Sequence, residues 1–285
     1  MDWLIAQLQN MSPISLEQLN ATMSLMERID KKYIMHMDEL PEMIKELWDD
    51  YYVLNIQDKQ VFSYDNVYMD TKDYAFYMQH QNGHKPRTKV RSRYYIDSNL
   101  AFFEFKQKSD DVTRKFRYQY EVENHWVMNN EMIKFFEWLY SSFYNVTPKE
   151  LIFPSLWTRY RRCTLCSKAN DERITIDFDI TLRDLRSKGK KVKLPEIKLN
   201  NLVIVESKST HINCNSHTTL ANMGIEASKK CSKYCMAMIY YKRAQEFDSF
   251  EKTIEKVDKI RSIPSKNTTL HDTSIIKNRL KVDTK

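Results

Sequence analysis

Glycine and proline are scarce: the 285 residues include three glycines and seven prolines. These residues punctuate turns and joins, so few positions are left for a linker between domains. Long apolar runs are missing too. No segment approaches the roughly 20 consecutive apolar residues that a membrane-spanning helix needs, so no span is expected. Met1–Leu25 lacks a basic leader followed by an apolar stretch and a small-residue cleavage site. No secretory signal is read there, and a cytoplasmic location is expected. Cysteines number five. Cys163 and Cys166 have the C-x-x-C spacing of a zinc site and Cys231 and Cys235 lie four apart, but the first pair falls in a strand-like run without flanking glycines. Buried, reduced thiols are the expectation.

Apolar residues make up 42% of the chain, enough to fill the core of one large domain or two small ones. The net charge is +7, with the positive residues gathered in strand-like runs and the acids in helix-like ones. That distribution points to an anionic ligand, with nucleic acid, phosphate chains and acidic membranes all compatible with it. Residues 1–25 read as a helical lead-in, 26–245 as one domain, and 246–285 as a polar, flexible tail. Three-four apolar spacing predicts helices at Glu39–Tyr51 and Met132–Tyr144, and Lys230–Arg243 also reads as helix-like. Strands are predicted at Arg28–Met35, Val53–Ile56, Val61–Met69, Lys89–Ile96, Ala101–Lys108, Arg114–Val122, Trp157–Cys166, Arg173–Ile180 and Leu202–Ser207.

Residues two apart on a strand share a face. Lys89, Arg91 and Arg93 therefore lie opposite Val90, and Glu104, Lys106 and Lys108 lie opposite Phe103 and Phe105. Lys115, Arg117, Gln119 and Glu121 separate in the same way from Phe116, Tyr118 and Tyr120. Arg173, Thr175, Asp177 and Asp179 separate from Ile174, Ile176, Phe178 and Ile180. Glu206 and Lys208 lie together near a strand end. A single solvated sheet face explains any one such strand. Several strands whose polar faces are rich in Arg and Lys point instead to a ligand. The expected fold is α+β, a closed antiparallel β-barrel with cations inward and the three helices covering its apolar outside. Cations crowded in such a space repel, and an anion must offset them. Phosphate suits the lining, since Arg holds two oxygens at once and Lys acts as a mobile point charge.

At these residues the chain resembles the VTC (vacuolar transporter chaperone) catalytic domain of the triphosphate tunnel metalloenzyme superfamily, in its short bacterial forms. The resemblance runs from about Glu27 to Arg243 through ERIDKKY at Glu27–Tyr33, VYMDT at Val67–Thr71, KVRSRYY at Lys89–Tyr95 and FFEFKQK at Phe102–Lys108. It continues through RYRR at Arg159–Arg162, ITIDFDI at Ile174–Ile180, VIVESKS at Val203–Ser209 and SKYCMAM at Ser232–Met238. What it implies is a tunnel that makes inorganic polyphosphate from the terminal phosphate of ATP. The matching cations are Lys32, Arg91, Arg93, Lys106, Lys115, Arg162 and Arg173, with Lys230 and Lys233 from the closing helix; Lys32, Arg91, Arg93 and Lys106 would also serve transfer itself. Glu206 matches the carboxylate for a divalent metal, Mn or Mg, and Arg28 and Arg117 are adjacent candidates. Where the family pattern implies one more phosphate-gripping base, this chain has Tyr77-Met78-Gln79-His80, so the contact is lost or supplied by His80, Lys85 or Arg87. The segments that couple synthesis to export in eukaryotic complexes are not expected.

The expected partners are ATP with inorganic polyphosphate or tripolyphosphate. A tripolyphosphatase or nucleoside triphosphatase using an activated water, and a non-catalytic polyphosphate-binding module, share the same lining. Glu104 or Glu121 could orient such a water or simply pair with a neighbouring Arg. His36, His84, His125, His211 and His217 show no ligand spacing and are read as surface residues. Aromatic residues at 12% would suit stacking on single-stranded nucleic acid, but many alternate to the side opposite the charges, so nucleic acid is not expected.

Overall fold

The computed structural model describes residues 2–22, 29–109, 112–186, 194–244 and 246–266. Its strands are β1 (Pro13–Ile14), β2 (Ile29–His36), β3 (Tyr51–Leu54), β4 (Phe62–Asp70), β5 (Arg87–Tyr95), β6 (Leu100–Ser109), β7 (Val112–Tyr120), β8 (Phe153–Ser167), β9 (Glu172–Asp184), β10 (Ile197–Leu199) and β11 (Leu202–Ser209). Its helices are α1 (Asp2–Gln9), α2 (Leu16–Thr22), α3 (Leu40–Leu47), α4 (Ala75–Gln81), α5 (Asn130–Tyr144), α6 (Asn215–Asn222), α7 (Lys233–Tyr240) and α8 (Glu251–Ser262).

The strands form one sheet in the order β2-β11-β9-β8-β4-β5-β6-β7. Every pairing is antiparallel except that of β1 with β3. Among the described residues no ladder joins β2 to β7, so the sheet is large and antiparallel with two ends.

Alternation sorts the side chains. Val67, Val90, Phe103 and Phe105 bury on one face against Met132, Phe136 and Leu139 of α5. That helix begins where the Asn129 side chain accepts from the Met132 amide at 2.8 Å, replacing one of the partners a first turn lacks. On the same face Ile174, Ile176, Val203 and Val205 bury against Leu40, Met43, Ile44 and Leu47 of α3. Each fully buried Leu, Ile or Phe contributes about 1.5–3 kcal/mol, so these two helices hold the sheet's curvature from outside.

The third predicted cover lies elsewhere. The stretch read as an outer helix at Lys230–Arg243 forms α7, and it sits on the opposite face, where Tyr234 and Met238 pack with Tyr68, Tyr160 and Ile204. The alternation read for β9 also breaks. Register shifts between Arg159 and Arg161, and Asp179 takes φ 51°, so Ile180 leaves the α3 cluster and joins that of α7. Residues 251–262, read as tail, form α8, whose Thr253, Val257 and Ile260 are buried on one side. The lead-in is two short helices around β1, not a continuous one. Cys163 and Cys166 point to different clusters, as residues three apart on a strand must, and the five cysteines are free.

Candidate functional site

The faces not covered by α3 and α5 carry the charge. Lys89 stands opposite Lys106 and Arg91 opposite Glu104, while Lys115 and Arg117 of β7 face Lys106 and Glu104 in turn. Toward the other end of the sheet, Lys32 stands opposite Glu206, Glu206 opposite Thr175, and Lys208 opposite Arg173. Lys106 lies within the electrostatic reach of Lys208, Glu206, Lys32 and Lys89. The sheet therefore curls far enough to bring strands from both ends around one space.

Three carboxylates organise this space. Glu104, 2% exposed, meets Arg91 Nε at 2.6 Å, Lys115 Nζ at 2.5 Å and Arg93 Nε at 4.0 Å. Arg93 also donates to Asn66 Oδ1 at 2.9 Å and to the Tyr160 hydroxyl at 3.1 Å. Asp177 accepts from Arg162 at 2.5 and 2.8 Å and from Lys233. Glu206 lies 3.0 Å from Lys208 and 3.8 Å from Lys32. The entry to α7 is tied down by the same cations: Lys32 donates to the Cys231 carbonyl at 3.3 Å and Lys89 to the Ser232 hydroxyl at 3.0 Å. Ser232 in turn caps the helix by accepting from the Cys235 amide.

Burial opposes ionisation of Glu206, but Lys32 and Lys208 overcome it and hold the carboxyl well below its usual range. Glu104 is likewise held low by Arg91 and Arg93 against its burial. Lys106 has the opposite fate. The residue keeps exposed surface, yet burial of its amine and then Lys208 push it down to about 7, and it makes no ion pair among the described residues. Burial would raise the Tyr68 phenol, but Arg91, Lys89 and Arg93 outweigh it and bring the group down to about 8. Cations exceed carboxylates here, and the neighbourhood of Lys106 is where negative charge is short.

Of the predicted residues, Lys32, Arg91, Arg93, Lys106, Lys115, Arg162, Arg173, Lys233 and Glu206 share this face. Lys230 stands apart: its amine donates to the carbonyls of His80 and Gln81 at 3.4 and 3.1 Å, capping the end of α4. Arg28 lies outside the described residues. Arg117 is exposed, with its guanidinium 5.0 Å from the Phe102 ring. Glu104 is a counter-ion to three cations, and Glu121 is exposed. Lys89 and Lys208 complete the cluster. Their signal in the sequence was their spacing, two residues from Arg91 and Glu206. The surface reading fails for His36, His125 and His217, which are buried; His125 bonds Asp65 Oδ1 and the Tyr120 hydroxyl, each at 2.9 Å.

A divalent metal fits beside Glu206. The Thr175 hydroxyl, on the same face and opposite Glu206 in register, is buried without a hydrogen-bond partner, so a second oxygen donor stands ready next to the carboxylate. Mg and Mn bind with few protein oxygens when phosphate supplies the rest. A second set, Glu172, Cys214 and His217, places potential ligand atoms within 4.8 Å of one another. It lies on the α3 side of the sheet, and Glu172 there already accepts from Tyr51, Ser207 and Ser216.

An antiparallel sheet curled around an excess of cations belongs to the class of proteins built to receive polyanions. The particular family follows from sequence: the VTC domain profile matches residues 27–242, and the chain belongs to that family. Solved structures with a similar fold include an adenylate-cyclase-like protein from Bacillus halodurans, 13% identical, with TM-score 0.44, covering 73% of this chain and 97% of that one. Another is an adenylyl-cyclase-like protein from Hippeastrum with a dominant triphosphatase activity, 11% identical, TM-score 0.41, covering 74% and 95%. No curated protein matches the chain at a significant level. Among the described residues no helix is long and apolar enough to cross a membrane.

Proposed function

We propose that this chain is a metal-dependent polyphosphate polymerase whose sheet closes into a tunnel around the phosphate chain. The observation that carries the reading is the gathering of Lys32, Lys89, Arg91, Lys106, Lys115 and Lys208 on one face of the curled sheet, where Glu104, Asp177 and Glu206 offset only part of the charge. The terminal oxygen of a growing chain attacks the terminal phosphorus of ATP, the bond to the bridging oxygen breaks, and ADP leaves. Arg91, Arg93, Lys106 and Lys32 neutralise the charge that develops on the transferred group, and Lys115, Arg162, Arg173 and Lys233 hold the chain in line. Lys230 joins them only by leaving the α4 carbonyls it caps. Glu206 and Thr175 would hold a divalent ion, Mn or Mg, which would supply Lewis-acid charge to the phosphate chain.

The test is incubation of the purified protein with ATP and Mn or Mg, resolving products on a gel stained for polyphosphate and measuring free phosphate. A ladder of long chains is expected. Free phosphate without chains would replace transferase by triphosphatase. Tight polyphosphate binding with neither product would reduce the domain to a binding module.

A further inference from the structure

On the α3 side of the sheet, away from the charged face, a carboxylate, a thiol and an imidazole come together. Glu172 opens β9, Cys214 is the residue before α6, and His217 lies three residues on, in the first turn of that helix. Residues so spaced share one face of the turn. Glu172 is 0% exposed, Cys214 2% and His217 9%, and one potential ligand atom from each lies within 4.8 Å of the others. Glu172 accepts from the hydroxyls of Tyr51, Ser207 and Ser216, all neutral groups, and makes no ion pair among the described residues. A buried carboxylate is ordinarily matched by a cation or a metal. Neither tautomer of the neutral His217 ring satisfies its surroundings. With the hydrogen on Nδ1, the ring donates to the Ile212 carbonyl at 3.0 Å, sharing it with the Lys31 amine. Nε2 then turns its lone pair on the Ser207 oxygen at 3.0 Å, whose single hydrogen goes to Glu172 at 2.6 Å. With the hydrogen on Nε2, the Nδ1 lone pair accepts from Lys31 at 3.3 Å but faces the Ile212 carbonyl oxygen.

A positive centre between Nε2 and the carboxylate resolves the first arrangement. We propose that Glu172, Cys214 and His217 Nε2 form a buried zinc site, separate from the divalent site at Glu206 and independent of the proposed function. The donor set suits zinc, whose ordinary ligands are thiolate, imidazole and carboxylate, whereas Mg takes oxygen. Bonds of about 2.0–2.3 Å set tetrahedral ligands roughly 3.5 Å apart, so the set contracts by on the order of 1 Å around the ion. The Ser207 hydroxyl, next to both Nε2 and Glu172, or a water takes the fourth place. Nδ1–H keeps the Ile212 carbonyl, the outer contact that fixes a ligating imidazole, and Tyr51 and Ser216 steady the carboxylate. On entry the Cys214 thiol gives its proton to solvent and its sulfur bonds the metal; nothing is oxidised or reduced. Carboxylate and thiolate together then match the two charges of the ion. The role is structural: the metal fastens the start of α6 to the start of β9.

The experiment is titration of the full chain, stripped with chelator and kept reduced, with cobalt(II) as the probe, followed by absorption and then by displacement with zinc. Wild type should bind one tight equivalent, with a thiolate-to-cobalt charge-transfer band and the visible bands of a four-coordinate ion, and zinc should bleach both. Cys214→Ser should lose the charge-transfer band, and His217→Gln should bind cobalt at least tenfold more weakly. Glu206→Gln should give the wild-type spectrum. X-ray absorption of the wild-type zinc form, which needs no variant to fold, should find one sulfur beside the metal. Absence of the charge-transfer band from wild type, its survival in Cys214→Ser, undiminished binding by His217→Gln, or a zinc shell without sulfur overturns the site and leaves a hydrogen-bond network alone. Loss of the band from Glu206→Gln overturns its separateness.

Discussion

Replacing Glu104 by Gln keeps the shape and removes one charge from the most densely paired carboxylate of the charged face. Glu104 is 2% exposed and meets Arg91 at 2.6 Å, Lys115 at 2.5 Å and Arg93 at 4.0 Å. Its loss leaves Arg91 and Arg93 facing each other without a counter-ion. Breaking a buried pair from one side costs about 3–5 kcal/mol. For a chain of this size that is on the order of 10 °C in melting temperature, at about 2–4 °C per kcal/mol. Folded Glu104 ionises below its ordinary value of 4.5, so its contribution is complete above that pH and is lost as pH falls toward the depressed value. Thermal unfolding followed by near-ultraviolet circular dichroism should show a constant deficit from pH 5 to 8 that shrinks in acid. Tripolyphosphate should narrow the deficit at neutral pH, because its oxygens take the vacated place. A variant as stable as wild type, or a deficit that ligand leaves untouched, would refute the electrostatic account of this face.

Arg91→Ala combined with Arg93→Ala should abolish binding of tripolyphosphate, and it should also destabilise the protein, since Glu104 then keeps only Lys115; adding Glu104→Gln should restore the melting temperature without restoring binding. Wild-type stability in urea should rise between pH 7 and 9, because folded Lys106 releases its proton near 7 and the unfolded side chain near 10.5. Lys106→Met should reduce that rise, and an unchanged pH slope would sink the assignment. Glu206→Gln should remove metal-dependent turnover of ATP while tripolyphosphate binding measured without metal survives; full activity would count against its metal role.

The charged face was legible because it depends on local alternation. Val90 against Lys89 and Arg91, and Phe105 against Glu104 and Lys106, need only a period of two. Asp179 was not legible, since a bulge against Arg161 resets the period and nothing in the run Ile174–Ile180 announces it. The buried histidines escaped for another reason. His125 hydrogen-bonds with Asp65, 60 residues away, a pairing that no spacing rule reaches. The placement of α7 was missed because its apolar residues, Met236, Ala237 and Met238, are buried in succession rather than on one stripe, so periodicity does not say which side of the sheet it joins. In α8, Val257 and Ile260 do lie three apart, but the surrounding Lys and Glu masked so narrow a stripe. The candidate residues themselves were found from the ordered motifs of the family, whereas the pairing of Glu104 and the isolation of Lys106 needed coordinates.

Asp70 accepts from the amides of Thr71, Phe76 and Tyr77 at 2.8, 2.9 and 3.0 Å and from the Tyr234 hydroxyl. One carboxylate thus fastens the start of α4 to α7, while Lys230 fastens its end. A chain long enough to draw the Lys230 amine toward its own oxygens would strip two carbonyls from the last turn of α4, the turn that carries His80. On the proposed reading, length of ligand and shape of site would not be independent quantities: short chains would meet a helix strapped at both ends, and longer ones a helix fastened at one.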